Sequence, residues 1–558
     1  MSAKTKNIIR IALLFALLLL PIFYALGNAI DIEYSLIKKL AYLVVVVVLL
    51  LVPATFLKAR TYFIVEGIGN FLFFPIDIAS LYLNRQSTST VFLQNIFNTD
   101  RHEASELIVS VWPLCLIVIA LWVLYFVLAF RVENKYMMSS ILRKVLLISL
   151  PILFVVGIIA LSISIKLRKS ERTFSNIVPD AAGLVWMKLY KIYPYNLYLE
   201  TTDILLMRQR QRTLQKQVED FRFGIAPQAD ESALYVLVIG EAARYDHFSL
   251  NGYHRSTTPY LESTEHLISF DSAFSQANLT TYSVPLMLTR AMARDSETAY
   301  KERSIVEAFQ EAGFRSDMIS KQQLHSQFTQ RIMNVCDDQY AYTKPIDVAG
   351  NYDGEMVDKV REFTRDTAQF MVLHSLGCHF RYEQRYPEQY AVYEPVLGQS
   401  FSYSMLSEPN KDKLINAYDN AILYTDAFLH QLICYMDSLD KPAVMVYMSD
   451  HGESFWDDEQ KLLLHGSYVI SKYEYHVPLL VWYSEEYAAL HRAKIEAMEQ
   501  NRTTPLSSDV LFYSLLDLAD ISSPVIDSTR SICSPQLKAV DTVYVHTGSG
   551  DVAPMAIH

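Results

Sequence analysis

Three segments of this chain end apolar runs on side chains that bind metals or move protons. Residues 233–239 (ALYVLVI) lead directly into Gly240-Glu241. Residues 369–374 (QFMVLH) lead into Gly377-Cys378-His379, and residues 443–448 (AVMVYM) lead into Ser449-Asp450-His451-Gly452-Glu453. If the runs are neighbouring strands, a carboxylate, imidazoles and an Asp-His pair meet at one sheet edge, where open α/β sheets gather their reactive groups. Mixed oxygen and nitrogen donors of this kind suit zinc with an open position, and hence metal-assisted displacement. Each residue alone has an ordinary structural role, as a turn, a cap or a satisfied polar group. The set together carries the chemistry.

Such a site needs a nucleophile, and residues 278–285 (NLTTYSVP) offer several hydroxyls before a predicted helix. Taken alone, the segment reads equally as an ordinary helix start. A hydroxyl beside a metal ion ionises more readily because the cation stabilises the alkoxide. A helix N-terminus also favours phosphate oxygens.

These segments need a frame. Residues 315–319 and 477–482 read as further buried strands, and most of the five runs are apolar on both faces, as strands of a helix-covered sheet must be. Residues 304–312, 354–367 and 414–436 read as helices between them. The alternation predicts an α/β sheet with helices on both faces.

The chain has 558 residues, 51% apolar and 20% charged, which fits a membrane part joined to a soluble part. Apolar stretches at 8–29, 40–57, 62–83, 107–130 and 145–165 each approach the ~20 residues that cross a bilayer. The first is expected to be retained, because further spans follow it and no clear cleavage site does. Glu66, Asn70, Pro75 and Asp77 interrupt the third, which reads as a span or as a re-entrant segment. Lys4, Lys6 and Arg10, then Lys58 and Arg60, then Arg131, Lys135, Arg143 and Lys144 share one side if the N-terminus is cytoplasmic. Five crossings then put the large C-terminal part outside the cytoplasm. Lys38, Lys39, Lys166, Arg168, Lys169 and Arg172 fall on the outer side, where they can meet lipid phosphates. Within the connector that follows, residues 203–220 have a helical pattern rich in Arg and Gln, read as a bridging helix on the bilayer.

The net charge of −11 argues against a nucleic-acid binder. Of five cysteines, Cys115 lies in an apolar run. Cys336, Cys378, Cys434 and Cys533 lack any CxxC spacing, and either form up to two disulfides or stay as thiols.

The distinctive pieces run in order along the chain: Val238-Ile239-Gly240-Glu241, residues 249–259 (SLNGYHRSTTP), the TTYSVP turn, residues 418–426 (YDNAILYTD), 449–454 (SDHGES), 464–466 (LHG) and 476–478 (HVP). In these the chain resembles the phosphoethanolamine transferases of the alkaline phosphatase and sulfatase superfamily. That group includes the lipid A-modifying enzymes behind transferable polymyxin resistance and a core-heptose-modifying branch. The resemblance implies an α-helical membrane domain of five transmembrane helices (1–166), a juxtamembrane connector (167–223) and an α/β sulfatase/alkaline-phosphatase-like periplasmic domain (224–558). The protein would then sit in a bacterial inner membrane. Phosphatidylethanolamine is the implied donor, lipopolysaccharide or lipid A the implied acceptor, and a monomer the implied working form.

The resemblance further implies that Glu241, Thr280, Asp450 and His451 hold one tight zinc ion, with Thr280 carrying the phosphoethanolamine. Thr280 rather than Thr281 has the family's offset of three residues before the serine of Ser-Val-Pro. His379 and His465 match histidines near the donor phosphate, acting as hydrogen-bond donors or as ligands of a second metal. Residues 94–104 (QNIFNTDRHEA) resemble the donor-lipid segment, in which Asn95 and Glu103 would face the ethanolamine. Residues 377–387 (GCHFRYEQRYP) and 320–323 (SKQQ) resemble the core-heptose branch, whereas TTYSVP and LHG resemble the lipid A branch. The acceptor therefore stays open between a lipid A phosphate, a core heptose and another glycan. Related membrane-anchored phosphoglycerol transferases, sulfatases and phosphodiesterases share the metal-plus-hydroxyl logic. Threonine in place of a Cys/Ser-x-Pro-x-Arg motif argues against the sulfatase reaction, and retention of every ligand type argues against a non-enzymatic envelope partner.

Overall fold

The computed structural model describes residues 2–28, 36–84, 88, 93, 112–168, 195–227, 232–322, 326–342, 350–398 and 405–557. They divide into two compact units, an N-terminal helical one ending at Met207 and a C-terminal one from Arg208.

The N-terminal unit is built from Ala3–Asn28 (α1), Leu36–Ala54 (α2), Ala59–Asn84 (α3), Trp112–Phe130 (α4), Ser140–Arg168 (α5) and the start of Tyr195–Asp220 (α6). Each expected apolar stretch coincides with one of α1–α5, although residues 29 and 107–111 lie outside the described residues. Among the described residues, one helix (Ala3–Tyr24) is long and apolar enough to cross a membrane; Tyr42–Ala54 and Leu116–Phe130 are shorter apolar helices. Leu14 and Leu18 of α1, Leu50 of α2, Tyr62 and Phe63 of α3 and Tyr125 of α4 share one core. The two buried phenols are satisfied by helix carbonyls, Tyr62 on Leu50 at 2.9 Å and Tyr125 on Phe63 at 2.8 Å. Outward positions such as Val44, Ile68, Val123 and Ile148 are exposed and apolar.

The C-terminal unit is organised by a seven-stranded sheet. Its strands are Leu234–Gly240 (β1), Leu267–Phe270 (β2), Arg315–Ser320 (β3), Asp338–Ala341 (β4), Gln369–His374 (β5), Ala443–Ser449 (β6) and Leu479–Tyr483 (β7). They lie in the order β2-β7-β6-β1-β5-β3-β4. β7 is antiparallel to both β6 and β2, and the remaining pairs are parallel.

Alternation along β1 shows why its sequence is apolar throughout. Tyr235, Leu237 and Ile239 enter one core with Phe309 of Ile305–Glu311 (α7) and Phe512 of Val510–Leu518 (α10). Leu234, Val236 and Val238 enter another with Val357 of Glu355–Phe363 (α8) and Tyr418 of Lys411–Asp437 (α9). Successive side chains feed opposite faces, so helices must cover both. The three predicted helices correspond to α7, α8 and α9; α7 begins with a capping box between Ser304 and Glu307. The edge strands β2 and β4 were not predicted. Each is four residues long and pairs on one side only, so neither needs a continuous apolar run. Cys336, Cys378, Cys434 and Cys533 are free thiols, so of the two cysteine alternatives the structure has the unpaired one.

Candidate active site

Strand register builds the centre of the site. β1 and β6 are adjacent and parallel with Gly240 opposite Ser449, so Glu241 and Asp450 emerge side by side. The Asp450 amide donates to the Gly240 carbonyl at 3.0 Å. Asp450 Oδ1 accepts from the amides of Ala242 at 3.2 Å and His451 at 2.8 Å, which fixes the carboxylate's direction. Glu241, Asp450 and His451 are buried, and one ligand atom of each lies within 4.8 Å of the others. His451 Nδ1 lies 2.9 Å from the Gly452 carbonyl, a bond that turns Nε2 inward. Nε2 is 3.3 Å from Glu241 Oε1 and 3.6 Å from Asp450 Oδ2.

Thr280 opens the short helix Thr280–Met287. Its Oγ1 donates to Glu241 Oε2 at 3.2 Å and lies 3.4 Å from His451 Nε2. One turn further, Ser283 Oγ is 3.4 Å from Asp450 Oδ2. The four residues expected to act together therefore meet.

Their electrostatics fit a cation. Burial opposes charge on Glu241, but the hydrogen bond and charge of His451, with His379 and His465 behind them, hold its carboxyl down at about 2. Burial and then the Glu241 charge push Asp450 up to about 6. Burial disfavours an imidazolium at His451, yet Asp450 and Glu241 together push it up to about 10. Two carboxylates thus keep a proton on the imidazole where a divalent ion would bind and displace it. Glu241 Oε1 is buried and faces the His451 imidazole at 3.3 Å, an acceptor aimed at the same point. The donor set of two carboxylates, an imidazole and a hydroxyl fits zinc.

The two remaining histidines flank this cluster. The His465 ring lies 4.1 Å from that of His451, and its Nδ1 is 3.1 Å from Glu453 Oε1. Glu453 is held in turn by the Tyr382 hydroxyl at 2.9 Å. His379 follows Gly377, whose φ of +45° lets the loop fold back so that the Cys378 amide donates to the Glu241 carbonyl at 2.9 Å. His379 Nδ1 bonds the Phe380 carbonyl. Asn95 and Glu103 lie outside the described residues.

Two supports carried no chemical signature in the sequence. Gln322 Nε2 donates to Glu241 Oε2 at 2.9 Å and to the Ser375 carbonyl at 3.1 Å, orienting the carboxylate; only its place in the SKQQ quartet drew attention to it. The second is the hairpin of Thr542–His546 and Val552–Ala556. Its His546 stacks on Tyr282 with ring centroids 4.7 Å apart, and the Gly548 amide donates to Ser467 at 2.8 Å. A Cβ at Gly548 would stand 1.7 Å from the Gly466 carbonyl oxygen, so only glycine permits this approach.

The sulfatase family model matches residues 233–521, more than half of the chain. This chain belongs to the sulfatase family. The model described as phosphoethanolamine transferase EptA/EptB matches a further stretch, residues 88–173. A relative is the Kdo(2)-lipid A phosphoethanolamine 7''-transferase of Salmonella typhimurium, 29% identical over 59% of this chain and 58% of that protein. This sulfatase-family chain thus spans less than two thirds of that relative's length. The C-terminal periplasmic domain of EptC from Escherichia coli, in complex with Zn, is 25% identical with a TM-score of 0.53, over 60% of this chain and 97% of that one. The integral membrane lipooligosaccharide phosphoethanolamine transferase A of Neisseria meningitidis is 20% identical with a TM-score of 0.65, over 84% of this chain and 86% of that one. The last likeness covers both the helical region and the α/β region, and it concerns fold.

Proposed function

We propose that this protein transfers phosphoethanolamine from phosphatidylethanolamine to lipopolysaccharide, on lipid A or a core sugar, through a phospho-Thr280 intermediate. The observation that carries this reading is the Thr280 hydroxyl, held 3.2 Å from Glu241 and 3.4 Å from His451 at a cluster that also contains Asp450. Glu241, Thr280, Asp450 and His451 are the proposed ligands of a zinc ion. When bound, zinc supplies Lewis-acid polarisation of the phosphoryl oxygens and favours the ionised threonine.

In the first half-reaction the Thr280 Oγ–P bond forms as the bond from phosphorus to the diacylglycerol oxygen breaks. Thr280 reacts in its ionised form, its oxygen oriented beside Glu241 Oε2, and leaves in that form when the cycle closes. His465 or His379 gives a proton to the departing alkoxide. In the second half, an acceptor oxygen attacks phospho-Thr280, its proton returns to the histidine, and Thr280 is regenerated. The work of the chain is positioning and electrostatics, as phosphoryl transfer requires.

The proposed setting is a bacterial inner membrane, with residues 1–166 as five transmembrane helices, 167–223 as the connector and 224–558 as the periplasmic catalytic domain. Apolar outer faces on the N-terminal helices support it. Asn95 and Glu103 are the proposed contacts for the donor's ethanolamine, a carboxylate being suited to an ammonium group. The test is mass spectrometry of the purified full chain after incubation with phosphatidylethanolamine. A phosphoethanolamine adduct on Thr280, discharged by added lipopolysaccharide, is expected. An adduct at another residue, or release of free phosphoethanolamine at the same rate with or without acceptor, would refute the reading.

A further inference from the structure

Glu474 belongs to none of the groups given a role above, yet its carboxylate joins three segments that build the site. It ends the short 3-10 turn Lys472–Glu474 and is fully buried. Oε2 accepts from Asn278 Nδ2 at 2.7 Å and from the Ser467 amide at 3.2 Å, while Oε1 accepts from Ser454 Oγ at 3.0 Å. Its carbonyl accepts from the Gly452 amide at 2.8 Å. Asn278 Nδ2 also donates to the Ser467 carbonyl at 2.9 Å, closing a ring of contacts.

Each partner stands close in sequence to a residue of the site. Asn278 is two residues before Thr280, Ser467 is two after His465, Gly452 directly follows His451 and Ser454 is three residues after it. A buried carboxylate is costly unless its lone pairs are satisfied, and here the amides and hydroxyl that satisfy it come from segments far apart in the chain. Contacts of this kind set where the segments lie relative to one another.

We propose that Glu474 is a positioning residue, holding the Thr280 turn and the His465 loop in place against the strand end that bears His451. The assignment rests on the transferase reading for its kinetic consequence, but its geometry can be measured without turnover. A hydroxyl and a proton donor must address the same phosphorus from opposite sides. Loss of the shared carboxylate lets the two loops shift independently.

The experiment compares Glu474→Ala and Glu474→Gln with wild type, using the full chain in detergent. In the glutamine variant, Oε1 still accepts from Asn278 and Ser467, and Nε2 donates to the Ser454 hydroxyl, which becomes the acceptor. Glu474→Ala is expected to lower kcat for diacylglycerol release from phosphatidylethanolamine by roughly 10²-fold, with KM changed less than about twofold and Glu474→Gln within about threefold of wild type. Hydrogen exchange should rise in residues 276–284 and 463–470 of the alanine variant, while the sheet strands keep their protection. This second readout decides the proposal even where wild type transfers nothing, an outcome that would remove the transferase reading alone. Unchanged exchange in both segments would overturn the positioning role. So would loss of protection throughout the α/β unit, or a glutamine variant as impaired as alanine.

Discussion

The buried ligand cluster and the histidine pair beside it are built in different ways. Glu241 and Asp450 leave neighbouring parallel strands at matched register, and backbone amides fix the Asp450 carboxylate. His379 and His465 lie instead on loops, half-buried, with His465 steadied by Glu453. The sheet gives the cluster a geometry that does not depend on loop conformation. The histidines depend instead on loop contacts, the Cys378 amide on the Glu241 carbonyl for one and Glu453 for the other. In the proposed mechanism one region holds charge in a fixed place, and the other handles a proton whose direction of transfer reverses between half-reactions.

Thr280→Ala tests the cluster most severely. It should reduce transfer by more than about 10³-fold, with circular dichroism of the purified protein unchanged, because it removes one half-buried hydroxyl. Retention of substantial transfer by this variant would end the assignment of Thr280.

Asp450→Ala should cost both zinc and activity, the second by about 10³-fold, since the cluster loses a ligand and leaves His451 facing a single carboxylate. Metal analysis beside the transfer assay checks this. A variant with full zinc content and little activity would move Asp450 from ligand to another role.

For the histidine pair a smaller loss with a different signature is expected. His465→Ala should slow transfer by about 10²-fold while the cluster keeps its zinc, as removal of a general acid would. If zinc content falls to the same extent as in Asp450→Ala, the distinction between cluster and flanking histidines collapses.

The smallest effect belongs to Gln322. Gln322→Leu leaves Glu241 without one of its donors and should weaken zinc affinity by about tenfold, in line with other supports of metal ligands. Titration against a competing chelator reads it directly. An unchanged affinity would show that the strand end alone orients Glu241.

Much of the frame could be read from local pattern. The apolar stretches of the N-terminal half coincide with helices, and five of the seven sheet strands were recognisable, most of them because burial on both faces demands apolar runs. The edge strands β2 and β4 were not, since pairing on one side relaxes that demand. The residues brought into the cluster were also legible, because strand ends in an α/β sheet are where such groups collect and Asp450 and His451 are adjacent in the chain.

What the sequence by itself determined, then, is which side chains stand at strand ends and which segments are apolar enough to be buried, both consequences of short-range periodicity. Only the tertiary structure decided that Gly240 faces Ser449, which brings Glu241 beside Asp450. It alone places Gln322 on Glu241, His546 on Tyr282 and Glu474 between three site segments. Those contacts join residues distant in the chain through hydrogen bonds and ring stacking that leave no periodic trace. They exist because buried polar groups must find partners, and the partner is whichever group the fold delivers within reach.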